Sequence, residues 1–245
     1  MTKTAEFEVA ESVKKLLYDR TFNNVGSEMT VCVATIGEKG KLAIIASDLL
    51  FTFYEPHLEF EPRMPKIIQL TKNCAAAISG TLVVSTELFE LVRTKIDVEN
   101  ATISDVGKCI HDAFFELRQK KIEECILKPR GIRDFEEYYE RQQQLARDII
   151  LKIEGQIDNF ELDLQVLIAG VEENGAHIYS IEDPCNFTTH DAFGYYAIGI
   201  GARDALASLV AQGYNKDNNF LKALMSTYEA KKIAERAPGE GKKPT

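Results

Sequence analysis

TVCVATIGEKGKLAIIASD, Thr30 to Asp48, is the stretch whose reading decides the fold. Its first part, TVCVATI (30–36), is rich in β-branched residues and reads as a strand. GEKGK is a turn. LAIIASD (42–48) is a nearly continuous apolar run, the pattern of a strand covered on both faces. Such a hairpin needs a partner layer on each side, and the rest of the chain must supply them.

Downstream, an irregular stretch with Pro56, Pro62 and Pro65 precedes a second strand pair. PKIIQLT (65–71) and CAAAISG (74–80) flank a turn at Lys72-Asn73. A helix is predicted over 82–96, apolar at Val83, Leu88, Leu91 and Val92. Ser104 can cap a longer helix that turns Val106, Ile110, Ala113, Phe114 and Leu117 inward. KPRG (128–131) interrupts it, and a charged helix resumes over 134–155, making a helical insertion around 120–150. Tyr138 and Tyr139 lie in this insertion and are costly to leave exposed together. LDLQVLIAGVEENGAHIYSIED (162–183) reads as a hairpin turning at Asn174-Gly175. A strand at 193–201, a helix in ARDALASLVAQGY and a last helix at 220–238 complete the order. Upstream, residues 4–20 carry an amphipathic helix with Phe7, Ala10, Val13, Leu16 and Leu17 on one face, and 21–28 form a loop. Hairpins of strands alternating with blocks of helices argue for an α+β fold. Two mainly antiparallel sheets, packed face to face and each covered outside by helices, would account for the apolar runs.

Composition narrows the function. The 245 residues carry a formal net charge of −9, which disfavours nucleic acid or an anionic membrane as partner. No apolar run approaches the roughly 20 residues that span a bilayer, and the acidic N-terminus is not a secretory signal. Cys32, Cys74, Cys109, Cys125 and Cys185 form no CxxC pair and read as free thiols in a reducing cytoplasm. His57, His111, His177 and His190 lack ligand spacing, so no metal is expected. GIGARDA (199–205) mimics a dinucleotide fingerprint, but Asp204 stands at its third glycine position and no strand follows, so no cofactor is expected.

The ordered set TVCVA, LAIIASD, PKIIQLTKNCAAAISG, LIAGVEENGAHIYSIED, YYAIGIGARDALASL and YEAKKIAERAPGEG resembles the proteasome-type family of N-terminal-nucleophile hydrolases, in particular its β-subunits, over roughly residues 29 to 242. The resemblance implies a four-layer αββα sandwich and a homo-oligomeric ring or spiral. It divides the chain into a leader at 1–29 and a hydrolase domain at 30–245, with the family's two C-terminal strands missing. It implies a peptide or protein substrate, with Thr30 as nucleophile, Asp48 orienting Lys66, Gly80 offering an oxyanion N–H and Glu235 as the nearest substitute for an aspartate of the last helix.

Such a site needs a base for a threonine hydroxyl. In the family this is thought to be the threonine's own α-amine, with a reference pKa of about 8. An internal threonine has an amide there, so Thr30 must become the N-terminus. A lysine ammonium beside the amine would lower its pKa. The chain also departs from the family pattern. Met29 stands where self-cleaving members carry glycine, and Ile200 and Pro238 stand where catalytic members carry serine. A noncatalytic member that builds or gates an assembly, with the leader as a permanent packing helix, is the alternative.

Overall fold

A computed structural model describes residues 30–48, 51–54, 57–60 and 66–235. The readings at 4–20, at 21–28, at Met29 and at Pro238 lie outside them. The first hairpin is β1 (Cys32–Gly37) and β2 (Leu42–Ser47). It is followed by β3 (Phe51–Tyr54), β4 (His57–Phe60), β5 (Ile67–Thr71) and β6 (Cys74–Gly80). After the helical block come β7 (Leu164–Glu172), β8 (Gly175–Glu182), β9 (Asn186–Thr189) and β10 (Tyr195–Ile198). One sheet has the order β10-β1-β2 and a larger one β5-β6-β7-β8-β9, with β3 and β4 paired apart. Every ladder among the described residues is antiparallel.

The layers follow from the period of two along each strand. Cys32, Ala34 and Ile36 of β1 point inward and meet Ala77 of β6, Leu167 and Ala169 of β7 and Ile178 of β8 between the sheets. Val31 and Val33 point the other way. They pack with Ala205 and Leu209 of a helix at Ala202–Ala211, and with Ala223, Ala230 and Ala234 of a helix at Phe220–Ala234. On the far side, Ala76 and Ile78 of β6 and Val166 and Ile168 of β7 pack beneath helices at Leu82–Lys95 and Ile103–Ile122. The described chain is therefore α+β, with two antiparallel sheets face to face and helices outside each. Burying each Val, Leu or Ile in these seams contributes about 1.5–3 kcal/mol. A charged residue at Val33, which is fully buried, would break the seam on the β1 side.

We label the helices α1 (Leu82–Lys95), α2 (Ile103–Ile122), α3 (Phe135–Arg141), α4 (Arg147–Asp158), α5 (Ala202–Ala211) and α6 (Phe220–Ala234). Several details differ from the expectations: the strand expected at 193–201 is the shorter β10, Tyr195–Ile198, and β9 was not expected. The cap of α2 is Thr102, not Ser104. Its hydroxyl accepts the Asp105 N–H and the Asp105 carboxylate accepts the Thr102 N–H, a reciprocal box that a cap at 104 would forgo. The 134–155 helix is two helices, because Leu145 and Ala146 adopt extended backbone. The β7–β8 turn is one residue earlier than Asn174-Gly175. Glu172 pairs with Gly175, so Glu173 and Asn174 form the turn and Gly175 takes a φ of 134°. The stretch after Asp48 is not wholly irregular, since β3 and β4 form a hairpin there.

The insertion packs on itself. Ile122, Leu127, Ile132, Tyr138 and Ile153 make a separate small core. The two tyrosines part company. Tyr138 is buried and donates its hydroxyl to Glu154 at 2.7 Å, whereas Tyr139 is exposed.

Candidate active site

Three of the singled-out residues meet at one end of the gap between the sheets. Thr30 lies just before β1, Asp48 just after β2 and Lys66 just before β5. The β1–β2 register, Cys32 opposite Ser47, sets Asp48 against the start of β1. The Asp48 N–H donates to the Val31 carbonyl at 3.1 Å, and the Val31 N–H donates to Asp48 Oδ1 at 3.0 Å. Lys66 Nζ donates to Asp48 Oδ1 at 2.9 Å and Oδ2 at 2.8 Å. The same Nζ lies 3.5 Å from Thr30 Oγ1, the long end of a hydrogen bond. The Lys66 and Asp48 side chains are 1% and 6% exposed. Lys66 is held by its own backbone too, its carbonyl accepting the Ile78 N–H at 3.1 Å. The ion pair thus ties the smaller sheet to the larger one directly beside the threonine hydroxyl.

Glycines let the backbone close around Thr30. Gly199, after β10, has a φ of +90°, and a Cβ there would sit 2.5 Å from the Thr30 carbonyl oxygen and 2.9 Å from Ser79 Oγ. The Gly201 N–H donates to that same carbonyl at 3.1 Å. Ser79 and Thr30 therefore flank one small space, and Gly80 is the next residue on β6. Gly80 has a φ of +113°, and a Cβ there would come within 2.0 Å of the Asp163 carbonyl oxygen. A side chain at 80 would collide with the β7 entry, so the tight turn alone is enough to require glycine.

Glu235 is placed differently. It follows α6, and its carboxylate is engaged by Lys231 and Lys232 of that helix. Ala234, the preceding residue, lies against Gly201, so the end of α6 backs the loop that holds Thr30. Ile200, between the two glycines, projects outward and is 57% exposed.

Residues that the sequence did not single out complete the site. Gln165 Oε1 accepts the Gly199 N–H at 2.8 Å, and Gln165 Nε2 donates to Glu182 at 3.0 Å. Glu182 also accepts the Tyr196 hydroxyl at 3.1 Å. The available signal was a lone glutamine interrupting the apolar run LQVLIAG.

The geometry discriminates between possible nucleophiles. Cys32 points into the same gap but is fully buried, and its thiol donates to the Ile78 carbonyl at 3.3 Å. Burial pushes its pKa up to about 12, outweighing the lowering field of Lys66. It stays a thiol at neutral pH and is a poor nucleophile. Thr30 is only half-buried and has an ammonium beside its hydroxyl. Among the described residues no group of His, Cys, Asp and Glu could hold a metal ion, and no helix is long and apolar enough to cross a membrane. Compared with known proteins, the chain matches no family model and no curated protein.

Proposed function

We propose that this chain is a threonine-type amide hydrolase of the N-terminal-nucleophile kind, built on the four-layer αββα sandwich of the proteasome-type family and acting on a peptide or protein. The observation that carries the reading is the contact set of Lys66: both oxygens of Asp48 on one side and Thr30 Oγ1 at 3.5 Å on the other, in a nearly dry setting. A surface lysine gains little from an ion pair. A buried lysine and carboxylate carry a desolvation cost, which is readily understood if the charge serves the neighbouring hydroxyl.

The chemistry requires the Met29–Thr30 bond to be broken. The freed α-amine then takes the Oγ1 proton as Oγ1 attacks the substrate carbonyl carbon. The Lys66 ammonium disfavours a second positive charge nearby, which keeps the amine in its basic form. The Gly80 N–H is the candidate donor to the tetrahedral oxyanion. Collapse expels the amine of the substrate, which leaves with the proton held by the α-amine. Water, giving a proton to the α-amine, then attacks the ester on Thr30; the acyl group leaves as a carboxylic acid and the α-amine returns the proton to Oγ1, regenerating the hydroxyl. Intact-mass measurement of the purified protein tests this reading. A chain beginning at Thr30 supports it, together with amide cleavage abolished by Thr30→Ala. A full-length chain with no cleavage activity refutes it.

The second reading is a noncatalytic subunit of a homo-oligomer. It draws on the exposed Ile200, which supplies no hydroxyl, and on Glu235, whose carboxylate is engaged by its own helix. On that reading Thr30→Ala changes nothing, while deletion of residues 1–20 changes assembly size in light scattering.

A further inference from the structure

We propose that Gln165 is a positioning residue for Thr30, acting through the Gly199–Gly201 turn. The inference rests on the reading of Thr30 as nucleophile. The β1–β10 ladder ends at the pair Cys32 and Ile198, so the Gly199 N–H emerges past the last paired residue. It is captured by a side chain of the opposite sheet, Gln165 Oε1 at 2.8 Å. Gln165 sits on β7 directly opposite Ser79 of β6, on the wall across from Thr30. The next two residues of the captured turn bring the Gly201 N–H to 3.1 Å from the Thr30 carbonyl. Gln165 thus fixes the segment that holds the Thr30 main chain, while Lys66 addresses its hydroxyl.

The orientation of the amide is set by its second partner. Glu182 is a carboxylate and can only accept, so it takes the Gln165 NH2 at 3.0 Å and turns the amide oxygen toward Gly199. The other Glu182 oxygen takes the Tyr196 hydroxyl at 3.1 Å, and the Tyr196 ring stacks on His190 with centroids 3.6 Å apart. The polarity of this chain runs one way: acceptor to Gly199, donor to Glu182. It can be rebuilt with the two residue types exchanged.

That exchange is the test, made in the processed full chain. Gln165→Leu removes the acceptor, and kcat should fall on the order of 100-fold with KM changed less than about 3-fold, the signature of a misplaced reacting group. Gln165→Glu keeps the acceptor but sets a second carboxyl group against Glu182 in place of the amide donor, so activity at neutral pH should be low. Combining Gln165→Glu with Glu182→Gln restores all three hydrogen bonds and should return kcat to within about 3-fold of the original at neutral pH. A fully active Gln165→Leu, or an exchange no better than Gln165→Glu alone, would overturn the inference. Amide hydrogen exchange separates it from the reading of Thr30. Faster exchange around Gly199–Gly201 in Gln165→Leu, reversed in the exchange variant, supports the positioning role even if the original chain cleaves nothing. Unchanged exchange overturns it whatever the activity.

Discussion

Lys66 and Asp48 form a buried ion pair across the two sheets, with Nζ 2.9 and 2.8 Å from the two carboxylate oxygens. Removing one partner strands the other away from water. Lys66→Met is expected to cost about 3–5 kcal/mol in urea unfolding, because it breaks a buried ion pair and removes the positive charge held against Asp48. Adding Asp48→Leu to that variant should recover a large part of the loss. A Lys66→Met protein of unchanged stability would mean that the pair is not closed in solution.

Gly199→Ala and Gly131→Ala make a controlled comparison. Both glycines have positive φ, +90° and +74°, but a Cβ at 131 meets nothing within 4 Å whereas one at 199 is 2.5 Å from the Thr30 carbonyl. Gly131→Ala should therefore cost only about 1 kcal/mol of backbone strain. Gly199→Ala should cost several times more and displace Thr30, lowering Tm and, on the proposed function, abolishing cleavage. Equal effects of the two substitutions on Tm would contradict the close approach of Gly199 to Thr30.

His190 is expected to make the fold sensitive to acid. It is buried, shares a hydrogen bond of 2.9 Å with Ser180 and stacks on Tyr196. Burial lowers its pKa from the usual value despite the opposing pull of Glu182 and Asp191. A histidine with a lowered folded pKa contributes stability that is complete above its unfolded pKa and is lost as pH falls through the folded one. Denaturant midpoints should therefore decline from about pH 7 to about pH 5, the ordinary imidazole range. His190→Gln should flatten that decline. An equally steep decline in the variant would assign it to other groups.

The strands themselves were legible in the sequence because they announce themselves by local pattern, whereas the grouping of Thr30, Asp48 and Lys66 was an expectation that only the family resemblance supplied. LAIIASD ends in an acid, PKIIQLT opens with a base, and the antiparallel hairpins bring those ends to one edge. Gly80 was visible as the end of an apolar run, although its strained φ was not. Gln165 was missed because its meaning lies in partners 34 and 17 positions away, which no local window contains. The β3–β4 hairpin was hidden by neighbouring prolines at 56, 62 and 65, which read as breakers. The helix break at Leu145-Ala146 was hidden for the opposite reason, since neither residue disfavours a helix. Glu235 entered only through the resemblance, as a substitute for an aspartate of the last helix, and the structure shows its carboxylate engaged by Lys231 and Lys232.

The most direct test is to treat the purified, assembled protein with an electrophile that captures N-terminal threonine and to map the adduct by peptide mass spectrometry. The account predicts a chain that starts at Thr30 and carries one adduct on that residue, with labelling lost in Lys66→Met. A chain still joined through Met29–Thr30, unlabelled under the same conditions, would contradict it.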